Sequence, residues 1–410
     1  MQMTMRWFGD GKDTVSLEQI RQVPGVAGVV PALHTLPAGE VWPLDMILDM
    51  KKEIEAAGLT MECIESVNVH ESIKLGDGDA DKYIENYKEC IRNLSKAGVK
   101  VICYNFMPVF DWTRTDLAMD MGNGATCLCY DGKQVEGKSP EDMFREIDSN
   151  SNGYAMPGWE TERMGEIKEL FRKYKNITHE DMWRNLRHFL EEIIPVCEEC
   201  DVKMAIHPDD PPWDIFGLPR IIKNIDDIRR FLNLVDSPYN GLTFCTGSLG
   251  ASTDNDLPAM IREVGDRIYF AHLRNVKIKN RRFNETSHLS SDGSLDMYEI
   301  VKALQEIGFD GYVRPDHGRM IWGEKEGILT VKLDYDEENK LVTITERNYF
   351  EKGIEVEVFG PNIETFSFIM PDIYNEDGEV VEAARHPEEI LRFKLDKKVY
   401  KNDMIRVKIS

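Results

Sequence analysis

The chain contains 410 residues, of which 42% are hydrophobic and 30% are charged, and its formal net charge is −23. This hydrophobic share is typical of a folded globular protein and is too high for a disordered chain. The acidic excess argues against a general nucleic-acid binder, because phosphates would be repelled outside any local basic patch. It argues equally against attraction to an anionic membrane.

Compartment signals in the sequence point to the cytoplasm. No apolar run approaches the roughly 20 residues that a membrane-spanning helix requires. Residues 1–7 lack the basic region and apolar stretch of a secretory signal. The eight cysteines show no spacing typical of a disulfide framework. We therefore expect a cytoplasmic protein whose thiols are reduced.

Short apolar, β-branched runs alternate with longer segments of helical period over residues 1–324. Eight runs predict strands: Met5–Phe8, Val26–Pro31, Met61–Ser66, Val99–Asn105, Lys203–His207, Leu242–Cys245, Ile268–His272 and Gly311–Arg314. Seven segments predict helices: Leu17–Gln22, Leu44–Ala57, Lys82–Ala97, His179–Glu199, Ile225–Val235, Pro258–Val264 and Leu295–Glu306. This alternation predicts an α/β protein with a closed (β/α)8 TIM barrel. An open doubly wound sheet would usually carry a GxGxxG turn, and residues 9–12 lack that spacing.

Two segments depart from this alternation. Residues 110–175 are polar and rich in Gly, Asp and Asn, so we expect an elaborated loop over the carboxyl end of the fourth strand. Beyond the eighth strand, short alternating strands follow one another, as in a small β-barrel or sandwich. They are residues 328–335, Leu341–Thr345, Ile354–Phe359, Phe366–Met370, Leu391–Leu395 and Met404–Ile409. The sequence thus predicts a barrel domain over residues 1–325 and an all-β domain over residues 326–410.

Potential metal ligands stand at the carboxyl ends of four consecutive predicted strands. His207 ends the fifth strand, Cys245 the sixth and His272 the seventh, and Asp316 follows the eighth. These ends meet at the face of a TIM barrel where chemistry takes place. Two imidazoles, a thiolate and a carboxylate suit a divalent transition metal, and leave Zn²⁺, Fe²⁺, Mn²⁺ and Co²⁺ open. A single buried His or Cys is more often a core residue, but four at adjacent strand ends favour ligation.

Further polar residues near these strand ends are candidates for binding a substrate. Arg274 and Arg319 lie close to predicted ligands in the sequence, and a guanidinium group matches a carboxylate in shape and charge. His70, Asn105 and Trp112 follow the third and fourth strands. We therefore expect an anionic, oxygen-rich small molecule, with ordinary salt bridges as the alternative role of each arginine.

Long motifs at these strand ends carry a resemblance to a known family. They are MRWFG (5–9), IESVNVHE (64–71), ICYNFMPVFDWTRT (102–115), HPDDPP (207–212), FCTGS (244–248), AHLRN (271–275) and RPDHGR (314–319). Through them, residues 1–324 resemble the mannonate dehydratase family, on a xylose-isomerase-like TIM barrel. The number and length of these motifs make the resemblance specific.

The resemblance implies dehydration of D-mannonate to 2-keto-3-deoxy-D-gluconate in glucuronate breakdown, with Mn²⁺ or Fe²⁺. It implies that His207, Cys245, His272 and Asp316 hold the metal, and that His317, beside Asp316, takes part in proton transfer. Removal of the weakly acidic C2 proton leaves an enediolate, which a metal and arginines stabilise. We also expect a homo-oligomer, a dimer.

After residue 324 the sequence departs from that family. The Gly/Tyr-rich loop with a catalytic tyrosine and the eighth helix of the family are both missing from the sequence. Residues 327–410 instead resemble the C-terminal β-domain of the collagenase-like peptidase family, without a peptidase centre. The residues that carry this second resemblance include Arg347-Asn348, Phe359-Gly360-Pro361, Asp377-Gly378, Ala384-Arg385-His386-Pro387 and Asp403-Met404.

Two other functions stay open at this point. The first is a sugar isomerase or epimerase on the same barrel, against which the thiolate of Cys245 argues, because such sites commonly use more carboxylates. The second is a barrel that binds metal and a sugar acid without turnover, with the β-domain as a binding module. The missing tyrosine loop favours this second alternative.

Overall fold

The computed structural model describes residues 1–9, 13, 15–135, 164–321, 334–345, 350–360, 363–375, 377–384, 390–400 and 404–407. The chain divides into two compact units. The first contains Met1–Gly9 and Gly25–Arg319, and the second contains Asp10–Pro24 and Met320–Ser410. The predicted domain boundary between residues 325 and 326 lies outside the described residues, as do most of residues 328–335.

Eight parallel strands form the centre of the first unit. Strands β1 to β8 are Gln2–Arg6, Val26–Val30, Cys63–Glu65, Val101–Tyr104, Lys203–Ile206, Asn240–Cys245, Ile268–Leu273 and Tyr312–Pro315. Neighbours pair in the order β2-β1-β8-β7-β6-β5-β4-β3. A parallel bridge between Gly28 and Thr60 joins the two ends of this order. The sheet therefore closes on itself, which confirms the predicted TIM barrel.

Close packing explains both the closure and the apolar strand sequences. A Cβ atom on Gly28 would lie 2.6 Å from the backbone oxygen of Thr60, so only glycine allows this approach. All residues of β4 and β6 are buried. Strands covered on both faces read as continuous apolar runs, which is the pattern that identified them in the sequence.

All seven predicted helices are present, with bounds that differ by a few residues. They are Leu17–Arg21, Leu44–Ala56, Ala80–Lys96, His179–Cys200, Ile225–Leu232, Leu257–Val264 and Met297–Glu306. The longest begins at a capping box in which Thr178 and Asp181 satisfy each other's backbone N–H groups. In the described part of the chain, no helix has the length and apolar character needed to cross a membrane.

The prediction of a loop over residues 110–175 is wrong for the part that is described. Strands Asp116–Asp120 and Thr126–Asp131 pair with each other, and helices Gly132–Val135 and Met164–Tyr174 follow. Residues 136–163 lie outside the described residues. Thr126–Asp131 also pairs with the hairpin Val276–Lys279 and Arg282–Glu285, which the sequence did not predict. These strands depend on partners far away in the chain, and their own local patterns are too short to predict them. The described part of the chain also contains the short α-helices Glu71–Leu75 and Thr246–Leu249 and the 3-10 helix Gly265–Arg267.

From residue 334 onward the described residues of the second unit form only strands, as predicted. They are Asp334–Asp336, Leu341–Thr345, Phe350–Glu351, Glu355–Gly360, Ile363–Ile369, Ile373–Tyr374, Val380–Val381, Ala383–Ala384, Ile390–Lys394 and Met404–Val407. Their inward faces form one apolar core that includes Val342, Val358, Ile373, Leu391 and Phe393. Alternation of buried and exposed side chains is the reason that this region was recognisable as β-structure.

Candidate metal centre and active site

Three of the four predicted ligands come together at the carboxyl ends of β5, β6 and β7. One donor atom each of His207, Cys245 and His272 lies within 4.8 Å of the other two. The parallel register explains this, because Cys245 is the direct partner of His272 across β6 and β7. His207 follows β5, and its ring centroid lies 5.1 Å from that of His272.

Asp316 joins this cluster from the end of β8. Its Oδ2 atom lies 3.8 Å from the Sγ of Cys245 and 3.9 Å from the Nδ1 of His272. The backbone N–H of Asp316 donates to the carbonyl of Leu273, which ties this residue to β7. His288 contacts its carbonyl oxygen at 3.0 Å. The structure thus brings all four predicted ligands into one site.

The hydrogen bonding of the His272 and His207 ring nitrogens is compatible with a bound cation. Both ring nitrogens of His272 are fully buried and lack a hydrogen-bond partner. Such orphaned polar atoms typically cost about 1–3 kcal/mol, so they are rare where nothing binds them. In His207 the Nδ1 atom lies 2.7 Å from the carbonyl of Pro208, which places the proton there and the lone pair on Nε2. This mixed nitrogen, sulfur and oxygen donor set suits a divalent transition metal.

Local charges favour the deprotonated forms of Cys245 and Asp316 that a metal requires, and the protonated form of His207. Burial alone would raise the pKa of the Cys245 thiol, but Arg274 and His207 outweigh it and hold that pKa well below its usual range. Burial also opposes ionisation of Asp316, whose pKa is nevertheless held well below normal by His317 and two arginines. Burial lowers the pKa of His207, but Cys245 and nearby carboxylates raise it to about 9. A metal would therefore displace a proton from His207.

Glu65, at the end of β3, borders the same cluster. Arg314 donates to both of its carboxylate oxygens, at 2.9 and 3.0 Å, and the Nε2 of His272 lies 3.4 Å away. Burial would raise the pKa of Glu65, but Arg314 and His272 hold it well below its usual range. Glu65 forms a second ligand-like group with His272 and Cys103. Burial raises the pKa of the Cys103 thiol well above normal, so this cysteine is protonated and a poor ligand.

His317 lies beside the cluster on its open side. Its side chain is 40% exposed, and its Nε2 atom is 3.7 Å from Asp316. Trp112 stands next to it, with ring centroids 6.1 Å apart. Arg274 donates to the Nε2 of His317 at 2.9 Å, and Glu285 contacts its Nδ1 at 2.5 Å. The predicted proton-transfer residue therefore has a titratable ring, access to solvent and fixed neighbours.

A buried network of two arginines and two carboxylates supports His317. Arg114 donates to both oxygens of Asp210, at 2.8 and 3.1 Å, and to Glu285 at 2.9 Å. Arg274 donates to Asp210 at 2.6 Å. A Cβ atom on Gly247 would lie 1.9 Å from the Nε of Arg274, so the network also requires a glycine there. Sequence reasoning did not assign Asp210 or Glu285, because no local spacing indicates that they meet.

The remaining predicted substrate-binding residues have local roles in the structure. His70 accepts a hydrogen bond from Ser72 at the start of the helix Glu71–Leu75, and its ring stacks on Tyr83 at 3.6 Å. Asn105 accepts from the backbone N–H of Met107. Arg274 is 1% exposed and is bonded to protein groups, whereas Arg319 is exposed. Substrate binding by these residues and by Trp112 stays a prediction.

An eight-stranded parallel barrel with a charged cluster at its carboxyl ends defines a class of protein, the TIM-barrel enzymes that act on small molecules. The barrel alone does not specify a reaction, since this fold supports many. Comparison with known proteins narrows the class.

Residues 1–356 match the family model for D-mannonate dehydratase (UxuA). The mannonate dehydratase of Thermotoga petrophila is 58% identical over 328 residues, which cover 79% of this chain and 91% of that relative. The enzyme of Geobacillus thermodenitrificans is 58% identical over 329 residues, covering 79% and 88%. The crystal structure of mannonate dehydratase from Streptococcus suis serotype 2 has a TM-score of 0.72 at 45% identity, covering 79% and 87%.

This chain therefore belongs to the D-mannonate dehydratase family, whose members are hydro-lyases. The family resemblance of the sequence is confirmed. Residues 328–406 also match the C-terminal domain of peptidase family U32, which confirms the second resemblance. The two matches overlap over residues 328–356.

Proposed function

We propose that this chain dehydrates D-mannonate to 2-keto-3-deoxy-D-gluconate and water, in glucuronate catabolism. The observation that carries the proposal is the meeting of His207, Cys245, His272 and Asp316 at one site, where the buried ring nitrogens of His272 have no hydrogen-bond partner. We assign these four residues as ligands of Mn²⁺ or Fe²⁺. The bound ion would stabilise negative charge that develops on substrate oxygens. Membership of the family supports the choice of D-mannonate.

The reaction needs two proton-handling events. A base takes the C2 proton, the C3 hydroxyl leaves with a proton as water, and the resulting enol rearranges to the 2-keto acid. We assign one proton transfer to the Nε2 of His317, which would exchange its hydrogen bond from Arg274 for one with the substrate while Nδ1 stays bonded to Glu285. Asp316 contributes as the proposed ligand next to His317, 3.7 Å from its Nε2 atom. Arg274, bonded to His317 and close to Cys245, positions both groups.

Substrate contact is proposed for the open side of the cluster. Trp112 and His317 form a partly exposed pair there, and the Trp112 ring also lies 5.5 Å from the buried guanidinium of Arg114. A small sugar acid that enters at this point meets an imidazole and an aromatic face before it reaches the four ligands. We also propose a cytoplasmic location, supported by eight free cysteines. The homodimer expected from the sequence stays a prediction.

The test is a dehydration assay with purified chain, D-mannonate and either Mn²⁺ or Fe²⁺, in which the 2-keto-3-deoxy product is measured. Cys245→Ala should lower kcat about 100-fold or more, because it removes a ligand. Cys197→Ala is the matched control: it removes a buried thiol from the helix His179–Cys200 and should leave kcat within about threefold of the parent chain. Metal-loaded parent protein that leaves D-mannonate unchanged would overturn the proposal.

The same assay decides between the alternatives that the sequence left open. Family membership favours the dehydratase over a sugar isomerase or epimerase, which would change D-mannonate or a related sugar without loss of water. A barrel that binds without turnover would take up metal and sugar acid but release no 2-keto product. Isothermal titration with D-mannonate, run beside the assay, separates this case from a protein that does not bind at all.

A further inference from the structure

We propose that Glu285 is a positioning residue that fixes the tautomer and ring orientation of His317 from outside the barrel sheet. The proposal rests on the proposed function in one respect, which is that His317 transfers a proton. Nothing in the barrel strands supplies this carboxylate. It comes from the hairpin that follows β7, formed by Val276–Lys279 and Arg282–Glu285.

The hairpin holds Glu285 in a fully buried position. Glu285 is the last residue of its strand and is paired with Val276. The same strand is paired on its other side with Thr126–Asp131, where Asn284 is the partner of Cys129. A carboxylate that is 0% exposed is stable only when charged or hydrogen-bonding groups compensate for lost water. The groups that bond to the carboxylate of Glu285 therefore indicate its role.

The two oxygens of Glu285 have separate partners. Oε1 accepts from Arg114 at 2.9 Å and from Arg274 at 3.5 Å. Oε2 lies 2.5 Å from the Nδ1 of His317. Arg114 is itself held by two bonds to Asp210, so the carboxylate cannot rotate without breaking bonds inside the buried network. One oxygen is thus anchored and the other is directed at the imidazole.

The partners of His317 define its tautomer. A guanidinium group has only donors, so the contact between Arg274 and Nε2 requires that Nε2 accepts. The proton must then be on Nδ1, where it is donated to Glu285. The lone pair of Nε2 accepts the N–H of Arg274, and Nε2 lies 3.7 Å from Asp316, one of the four proposed ligands. Glu285 and Arg274 together thereby hold His317 in one tautomer and one ring orientation beside the ligand cluster.

The variant Glu285→Gln distinguishes positioning of His317 from a role in which Glu285 only neutralises the charge of the buried arginines. The amide oxygen would take the place of Oε1 and accept from Arg114, which turns the NH2 group toward the Nδ1 of His317. The imidazole would then face a donor at both nitrogens, and either tautomer would set one N–H against a donor, so the ring would have to leave this position. A residue of nearly the same size and polarity therefore reverses the hydrogen-bond demand on the ring.

The kinetic test uses metal-loaded enzyme with D-mannonate. Glu285→Gln should lower kcat about 100-fold, because partners that orient catalytic histidines typically matter by that much or more. KM and bound metal should stay within about threefold of the parent values, since no ligand is removed. Glu285→Asp keeps the carboxylate and should regain at least about tenfold in kcat over the Gln variant.

Asn284→Ala is the matched control in the same strand, since Asn284 is half-buried and bonds to the carbonyl of Glu285 and to Cys127. It should leave kcat within about threefold of the parent value. The proposal is overturned if Glu285→Gln keeps full kcat, or if Asn284→Ala loses as much as Glu285→Gln. The second result would mean that general disturbance of the hairpin causes the loss.

A measurement of the tautomer of His317 needs no turnover. Protein labelled with ¹⁵N-histidine and loaded with diamagnetic Zn²⁺ is observed by NMR, with the His317 ring assigned by comparison with His317→Asn. We expect His317 protonated at Nδ1 in the parent chain, and a mixture of tautomers in Glu285→Gln, whose imidazole no longer has a fixed acceptor. A parent ring protonated at Nε2 contradicts the inference. Parent enzyme that forms no 2-keto product contradicts the proposed function alone, because the spectrum still decides the role of Glu285.

Discussion

Charged side chains are used in opposite ways in the two units. In the barrel unit, Arg114, Asp210, Arg274 and Glu285 are all buried and are bonded to one another beneath His317. In the second unit, the described ion pairs stay at the surface, as in the pair Lys340–Asp396, whose side chains are 56% and 91% exposed. The core of that unit is apolar.

This difference indicates where the chemistry is. Burying a charge costs several kcal/mol, and well-packed apolar residues often give equal or greater stability. A fold that buries four charged groups next to possible metal ligands therefore does so for a use other than stability. Among the described residues, the clusters of possible metal ligands are confined to the barrel unit. The described residues of the second unit combine an apolar core with exposed ion pairs and give no such sign of chemistry.

The largest effect is expected from His272→Gln, which removes the proposed ligand whose buried ring nitrogens have no hydrogen-bond partner. Activity on D-mannonate should fall by about 10³-fold or more, since stabilisation by a metal is worth several kcal/mol. Bound metal, measured by mass spectrometry, should fall with it. His188→Gln, in which an exposed histidine paired with Asp81 is replaced, should keep both. Equal metal content in the two variants would exclude His272 as a ligand.

A large loss of stability is expected from Asp210→Asn. This change leaves Arg114 and Arg274 without their shared carboxylate, and breaking a buried pair costs roughly 3–5 kcal/mol. Urea unfolding followed by circular dichroism measures it. Glu263→Gln breaks the exposed pair with Arg229 and should give no measurable shift. Similar shifts in the two variants would remove the contrast between buried and exposed charge.

The pH dependence of the Asp210 contribution has a defined sign. Burial opposes ionisation of Asp210, but Arg114 and Arg274 hold its pKa far below the usual range. A group whose pKa is depressed by folding stabilises above its unfolded pKa of about 3.9 and loses that contribution as pH falls. Stability of the parent chain should therefore decrease more steeply below about pH 4 than that of Asp210→Asn. If the free energies of unfolding of the two proteins fall in parallel below about pH 4, this expectation is contradicted.

A smaller effect is expected in the second unit. Val358→Ala removes two methyl groups from its apolar core and should lower the free energy of unfolding by about 2 kcal/mol. Because no described catalytic group lies in that unit, kcat should stay unchanged. Val380→Ala, at a position that is 59% exposed, is the control and should shift neither quantity. Differential scanning calorimetry and the dehydration assay are the two measurements. A loss of kcat in Val358→Ala would show that the second unit influences the barrel reaction.

The smallest effect is expected from Lys340→Ala. It removes the surface pair with Asp396, and exposed pairs of this kind contribute little because water and salt screen them. The thermal midpoint should stay within error of the parent value. A clear decrease would show that the surface charges of the second unit stabilise it more than their exposure indicates.

Most strands and helices of the barrel could be predicted from the sequence alone. The eight strands and seven helices have periods that local residues determine, because burial on both faces selects continuous apolar runs and burial on one face selects a helical stripe. The four candidate ligands could be grouped for a topological reason. Parallel barrel strands all end at one face, so His207, Cys245, His272 and Asp316 had to meet once the strands were recognised.

Only the tertiary structure decided what surrounds those ligands. Glu285 meets Arg114 although 171 residues separate them, and the strand that carries it depends on pairing with Thr126–Asp131. Neither contact has a local period or spacing, because such pairing is set by the packing of distant segments. The protons and charges of the site depend on these contacts. The sequence therefore determined which residues form the centre, and the fold determined how each of them is oriented and charged.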